Sequence, residues 1–399
     1  MNILFLSGQY PPHSKGGGEI STSLIADGLR NRGVSVEVVT DTDLPGLIAK
    51  PLFERSHAQK LARILAAQKK GGAETIGHAH DFRSGLVLYE LMQMGVIEPK
   101  QAYITLRDYA AISGDTNNIV KPGSITKEPL SMHASWKSYR VQEAPFPRNI
   151  ARFWQYTYNI RYRNKALSSI PNRIYISNAQ RQYIEQHLPV PQQKTRITTI
   201  YNPVAPEYFQ SPAPTKNTFE VLYVGRIEEY KGVRLLLTAW REVVVQVPQA
   251  RLKLVGRGAQ ETEYVDLVRE WGLEKSVTFV EHVPYEQMIK LYDAAGIIVS
   301  PHLWAEPFGR SVIEAMARAR VVIAANHGGP AELIQPEKTG ILFSKGSVGA
   351  LSTSLVSALH MPIERRQAIG AAARQWTEQH LSVDHIARQY KQFYRETSI

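Results

Sequence analysis

Ile297-Ile298-Val299-Ser300, followed by Glu306-Pro307-Phe308-Gly309-Arg310-Ser311-Val312-Ile313-Glu314, is the stretch on which the fold turns. The first four residues are a short apolar run bounded by Gly296 and Pro301, the pattern of a buried strand. Pro307 to Gly309 read as a turn, and the residues after it read as an amphipathic helix. Strand, turn and helix in that order are the repeating unit of a parallel α/β sheet. The turn also carries chemistry. Backbone N–H groups of Phe308 and Gly309, at a helix start, lack intrahelical partners and form a ready anion site.

The same alternation extends both ways. From Phe219 onward, strands are expected at Val221–Val224, Leu252–Val255, Val277–Val280, Ile297–Ser300, Val321–Ala324 and Ile341–Phe343, with helices between them. That is a doubly wound unit. At the other end, Asn2–Ser7, Gly16-Gly17-Gly18, a helical pattern of Ile20, Leu24, Ile25 and Leu29, and Val34–Val39 make a βαβ opening. Further strands are expected at Thr75–His80, Ala102–Leu106, Arg173–Ser177 and Ile197–Ile200, and residues 44–76 look helical and basic. Residues 110–165 mix Pro, Gly, Ser, Arg and aromatics, and should hold loops and irregular helices. The proline-rich stretch from Tyr201 to Lys216 marks a boundary. It leaves domains 1–202 and 203–380, with a helix in 381–399 that returns to the first domain.

At 399 residues the chain is too long for one ordinary core. No apolar run approaches a membrane span, and Ile3-Leu4-Phe5-Leu6 lacks the basic leader of a signal peptide. With no cysteine, disulfides and thiolate chemistry are excluded. A reducing, cytoplasmic setting is compatible with that. The net charge of +11 is uneven: 25 Lys+Arg face 16 Asp+Glu up to residue 210, against 22 and 20 afterwards. A basic first half suits an anionic partner such as a membrane surface, an acidic or phosphorylated acceptor, or nucleic acid.

Glu314 lies five residues into the helix, roughly 7.5 Å along its axis at the usual rise. That matches the step from a diphosphate to a ribose, whose two hydroxyls one carboxylate can accept. Glu306, ahead of the helix, stands where an attached sugar would extend. A second motif, Val224-Gly225-Arg226-Ile227-Glu228-Glu229-Tyr230-Lys231-Gly232, occupies the first strand-to-helix turn of the second domain. Such turns bind ligands in these sheets. Arg226 offers a planar fork and Lys231 a point charge, which suit a diphosphate. Cations at a helix start oppose the macrodipole, and that mismatch favours a functional role. Leu254-Val255-Gly256-Arg257-Gly258 and His327-Gly328-Gly329-Pro330-Ala331-Glu332 close two further strands with glycines that permit close backbone approach.

These four motifs, in this order, resemble the retaining family 4 glycosyltransferases (glycosyl transferases group 1) of the GT-B fold. The resemblance covers the second domain, and the first more loosely through Pro11-Pro12 and Gly16-Gly17-Gly18-Glu19. It implies two Rossmann-like doubly wound domains facing a central cleft, an N-terminal acceptor domain and a C-terminal nucleotide-sugar domain. It implies a donor site including Gly17, Gly225, Gly256, Phe308, Gly309 and Glu314. Arg226 and Lys231 would neutralise the leaving diphosphate, and Glu306 would contact the sugar of a UDP- or GDP-hexose. No cofactor and no metal are implied. Where the family often has His-Asp after the fourth strand, this chain has Arg107-Asp108, so Arg107 takes that position without being able to act as a base. Asn202-Pro203 replaces the usual Asn-Gly and should affect only the linker.

Two His or Asp patterns compete for a metal. His78-Ala79-His80-Asp81 lacks a third ligand, and reads as a structural or acceptor-facing pair. Asp41-Thr42-Asp43 ends a strand of the βαβ unit, the wrong context for a metal-binding Asp-x-Asp. In the segment 130–165, aromatics from Trp136 to Tyr162 interleave with cations including Arg148, Arg152, Arg161 and Arg163. That segment is the candidate face for a glycan or lipid-linked acceptor, or for the inner face of an anionic membrane. Two other readings share parts of this evidence. A nucleotide-sugar epimerase or hydrolase would use the same donor residues, and a nucleic-acid-binding protein would explain the charge but not Glu306 and Glu314.

Overall fold

The computed structural model describes residues 1–12, 16–40, 54–68, 75–109, 119–121, 124–125, 148–188, 195–210, 218–281 and 283–396. The chain divides into two compact units, Met1–Pro203 with Val383–Ile399, and Val204–Ser382. Asp41, Asp43 and the aromatic run from Trp136 to Phe146 lie outside the described residues.

The first unit runs β1 (Asn2–Ser7), α1 (Gly17–Arg30), β2 (Ser35–Thr40), α2 (Glu54–Gln68), β3 (Thr75–Ala79), α3 (Phe82–Gln93), β4 (Ala102–Leu106), the hairpin β5–β6 (Ile119–Lys121, Ser124–Ile125), α4 (Arg148–Ser169), β7 (Asn172–Tyr175), α5 (Asn178–Glu185) and β8 (Arg196–Thr199). Its sheet is parallel, in the order β2-β1-β3-β4-β7-β8. This is a doubly wound order whose direction reverses between β1 and β3. The C-terminal helix Val383–Arg395 belongs to this unit: Ile386, Tyr390, Phe393 and Tyr394 share one core with Ile3, Phe5, Ile25, Leu29 and Ile76. Its tyrosines also satisfy a buried histidine. His78 Nδ1 meets the Tyr394 hydroxyl at 2.5 Å, and Nε2 meets Thr105 Oγ1 at 2.9 Å. His78 is therefore a structural residue with both ring nitrogens in use.

One expectation fails here. Arg148–Ser169 is a single 22-residue helix, not irregular structure. Its buried side includes Thr157, Tyr162 and Arg163 beside Ala166 and Leu167, so polar residues interrupt the apolar period. Tyr162 donates to Glu90 at 2.7 Å, and the Arg163 guanidinium lies 4.6 Å from the centre of the Phe82 ring. Arg163 is thus an inward cation rather than part of a solvent-facing patch.

The second unit runs β9 (Glu220–Val224), α6 (Val233–Gln246), β10 (Arg251–Val255), α7 (Glu261–Glu270), β11 (Val277–Val280), α8 (Met288–Ala294), β12 (Ile297–Ser300), α9 (Arg310–Ala317), β13 (Val321–Ala325), α10 (Gly328–Leu333), β14 (Ile341–Phe343), α11 (Val348–His360) and α12 (Ile363–Leu381). The parallel order is β11-β10-β9-β12-β13-β14, the Rossmann order. Val221, Leu252, Leu254, Ile297, Val299, Val321 and Ile323 are buried together with Trp240 of α6. Strands covered on both faces read as continuous apolar runs, which is why their sequence pattern was plain.

The seating of the C-terminal helix depends on Gly28. A Cβ there would lie 2.7 Å from Val383 Cγ1 and 2.9 Å from Ala387 Cβ. In an unobstructed helix Gly→Ala stabilises by about 1 kcal/mol. Here overpacking of roughly 1–3 kcal/mol opposes it, so Gly28→Ala should lower the urea midpoint. A raised midpoint contradicts this packing.

Candidate active site

In the second unit the winding direction reverses between β9 and β12, and ligands bind outside the carboxyl ends of strands at such a point. The turn after β9 supplies Lys231 and the loop after β12 supplies Glu306. They are 75 positions apart in sequence, yet Lys231 Nζ donates to Glu306 Oε2 at 2.6 Å. Both side chains are largely buried, 15% and 14% exposed. Lys231 Nζ also lies 4.9 Å from the centre of the Trp304 ring and 5.6 Å from that of Tyr230. His302 Nε2 approaches the same carboxylate oxygen at 3.2 Å, and its Nδ1 is 2.7 Å from Ser300 Oγ. Burial opposes ionisation of Glu306, but Lys231 and His302 outweigh it and hold the carboxyl well below its ordinary range. Burial lowers the pKa of His302, Glu306 opposing it, so the imidazole is neutral near pH 7. Arg226, by contrast, is 62% exposed and sits 3.5 Å from Glu228.

Glycine fixes the loops around this pair. A Cβ on Gly256, at φ 141°, would stand 1.9 Å from the Gly225 carbonyl oxygen, and one on Gly258 2.0 Å from that of Ile227. The turns after β9 and β10 therefore nest directly against each other. Gly232, at φ 78°, has the same relation to the Pro301 carbonyl at 1.9 Å. Gly328 and Gly329 lie against the backbone of Glu306 to Phe308, and Gly329 N–H donates to the Glu306 carbonyl at 2.8 Å. Gly225 and Gly256 thus pack on each other, and Phe308 is buried with its backbone against Gly329.

Gly309 caps α9 at φ 94°, where a Cβ would stand 2.8 Å from Pro330 Cγ. One and a half turns in, Glu314 is 5% exposed. Tyr292 donates to its Oε2 at 3.0 Å, and Arg310 Nε lies 2.9 Å from Oε1 without an aligned hydrogen bond to it. Arg310 in turn donates to the Tyr285 hydroxyl at 3.3 Å. Burial raises the Glu314 pKa, with Arg310 and Tyr292 opposing the rise. Tyr285, Tyr292, Arg310, Ser300 and His302 were not singled out in the sequence. A regular i,i+4 Arg310–Glu314 spacing was the one signal available for them.

In the first unit, residues from the ends of three strands meet. His80 follows β3 and stacks on His78 at 4.2 Å between ring centres. Arg107 follows β4, donates to Asn202 Oδ1 at 2.5 Å and reaches His80 Nδ1 at 3.1 Å. Asn202 is therefore a partner of Arg107 and not merely linker. Burial keeps both histidines well below the ordinary imidazole range, helped by Arg107 at His78 and by His78 and then Arg107 at His80. Gly18, beside Gly17 at the start of α1, faces the Arg107 side chain: a Cβ there would meet Cδ at 3.5 Å. Asp81 accepts from Gly8 N–H at 2.8 Å and caps α3. Arg148 and Arg152 lie in α4, and their side chains fall outside the described residues. Among the described residues no group of three His, Asp or Glu could hold a metal ion, and no helix is long and apolar enough to cross a membrane.

Residues 204–376 match the family glycosyl transferases group 1. Glycogen synthase of Mycobacterium tuberculosis is 29% identical over 183 residues, 45% of this chain and 44% of that protein. The match thus spans less than half the length of that relative. Two solved structures align along the chain. Sucrose-phosphate synthase from Thermosynechococcus elongatus has a TM-score of 0.73 at 22% identity, covering 99% of each chain. Anabaena HepE, in complex with UDP and glucose, has a TM-score of 0.68 at 20% identity over 100% of each. The six-stranded parallel sheets of both units match the two-domain GT-B architecture of these proteins. The strand order of the second unit agrees with that match: over residues 204–376 this chain is similar to the glycosyl transferases group 1 family.

Proposed function

We propose that the chain transfers a hexose-type sugar from a UDP- or GDP-sugar to a glycan, lipid-linked or small-molecule acceptor, with retention at the anomeric carbon. The observation that carries this reading is the Lys231–Glu306 pair at the switch point of a group 1 domain. Lysine has three donors, and one bond to Glu306 leaves two for a diphosphate. Arg226, exposed in the same turn after β9, adds a bidentate fork. Oε1 of Glu306 takes a hydroxyl of the sugar. Glu314, buried with its Oε1 paired to Arg310 at 2.9 Å, takes a ribose hydroxyl. Within the first unit, Gly17, Arg107 and His80 are the candidate ligand-binding residues, and the exposed Arg161 with Arg148 and Arg152 serves the acceptor or an anionic inner membrane face.

The charges dictate the step. The bond from the anomeric carbon to the diphosphate oxygen breaks, leaving positive charge on the sugar and negative charge on phosphate. Arg226, Lys231 and the start of α9 stabilise the latter. The acceptor hydroxyl attacks from the same face, its oxygen bonding to the anomeric carbon while its proton passes to the departing phosphate. Glu306, ionised throughout, accepts hydrogen bonds and donates none. Two cations stand where a metal would otherwise neutralise the diphosphate, so this chemistry needs none.

Release of nucleoside diphosphate from UDP- and GDP-sugars, followed with a panel of acceptors, tests this. Lys231→Ala and Arg226→Ala should each lower turnover by about 10²–10³ while remaining folded, and EDTA should leave the rate unchanged. Near-normal turnover in either variant, or loss on chelation restored by Mg²⁺, overturns the assignment. A second test concerns acid stability. Glu306 has a lowered folded pKa, so its contribution is present above the unfolded value of about 4.3 and is lost as pH falls below it. Glu306→Gln should therefore flatten the fall of the urea midpoint below that pH, and an unchanged slope contradicts the pairing.

A further inference from the structure

Glu306 is held from two sides, and only one holder has an evident part in the chemistry above. Its Oε2 receives both contacts, from Lys231 at 2.6 Å and His302 at 3.2 Å, while Oε1 takes neither. Ser300 Oγ stands 2.7 Å from the other nitrogen of His302, Nδ1. Ser300 and His302 are 3% and 7% exposed, and both ring nitrogens of His302 face protein partners, Ser300 and Glu306. The chain Ser300–His302–Glu306–Lys231 runs from the end of β12 to the turn after β9.

We propose that His302 is the positioning residue of the sugar site: Ser300 holds its Nδ1, its Nε2–H holds Glu306 Oε2, and together with Lys231 it turns Oε1 toward the ligand. The inference rests on the reading of Glu306 as the sugar-binding carboxylate. The proton placement follows from the partners. A carboxylate kept ionised accepts only, so Nε2 must carry the hydrogen. With a neutral ring Nδ1 is then an acceptor, and the Ser300 hydroxyl donates to it. The charged groups around the imidazole are Glu306 and Lys231. A cationic ring beside Lys231 would crowd two positive charges onto one buried carboxylate. Lysine alone, a point charge on a flexible stem, fixes distance but not orientation. A second donor at Oε2 removes the rotation of the carboxylate that lysine permits. Orientation of this kind changes sugar binding and turnover but leaves binding of the nucleotide alone.

Three readouts test the proposal. Long-range ¹H–¹⁵N spectra of histidine-labelled protein, assigned with His302→Gln, should show His302 neutral and protonated at Nε2 at pH 7. The carboxyl pKa of Glu306, followed by ¹³C NMR, should rise in His302→Leu and return toward the parent in His302→Gln, which restores a donor. Calorimetry with UDP and with UDP-glucose should show unchanged UDP affinity in His302→Leu, with loss of whatever extra affinity glucose confers, about tenfold or more. A cationic or Nδ1-protonated His302, or a Glu306 pKa indifferent to His302→Leu, overturns the proposal whatever the donor. Loss of the glucose increment in Glu306→Gln but not in His302→Leu overturns it and spares Glu306. Loss in neither removes the reading of Glu306 as well.

Discussion

A lysine and a carboxylate, each about 85% buried and 2.6 Å apart, hold the candidate site together. Moving either charge alone out of water is costly, and removal of one partner leaves the other uncompensated. The pair therefore forms only where further groups satisfy it. Trp304 and Tyr230 present ring faces to the ammonium, and His302 presents a donor to the carboxylate. The strand order does the rest. Because β9 and β12 are neighbours, turns far apart in sequence open beside each other, and Lys231 meets Glu306 with no long side-chain reach.

The pair would drift without rigid loops beneath it. Gly256, Gly258, Gly232, Gly328 and Gly329 each bring two backbones closer than any Cβ allows. Three of them also sit at positive φ, where other residues are strained. The glycines that read as permitting close backbone approach are first of all contacts between strand-end turns. These contacts fix the donors before any ligand arrives, and such preorganisation is what electrostatic stabilisation of a leaving group requires.

The fold was legible because fully covered parallel strands are continuous apolar runs: Val277–Val280, Ile297–Ser300 and Ile341–Phe343 were placed to the residue. Helix Arg148–Ser169 was not, because Arg163 and Tyr162 point inward where the periodicity demands apolar residues. In the site, Glu306 and Lys231 stood out by spacing and by charge against a helix start. His302, Ser300 and Tyr292 did not, since a lone histidine after a strand or a tyrosine in a helix carries no pattern of its own. Asn202 was read as linker for the same reason. Its tie to Arg107 exists only once the ends of β4 and β8 come together.

The account stands or falls on whether the second unit binds a nucleoside diphosphate through Glu314. Calorimetric titration of the parent chain and Glu314→Ala with UDP and with GDP measures this directly. Hydrogen bonds to a charged acceptor contribute about 1.5–3 kcal/mol, so the account predicts binding of one of the two nucleotides and at least a tenfold weaker affinity for it in the variant. Equal affinities in parent and variant, or no binding of either nucleotide to the folded parent, would contradict it.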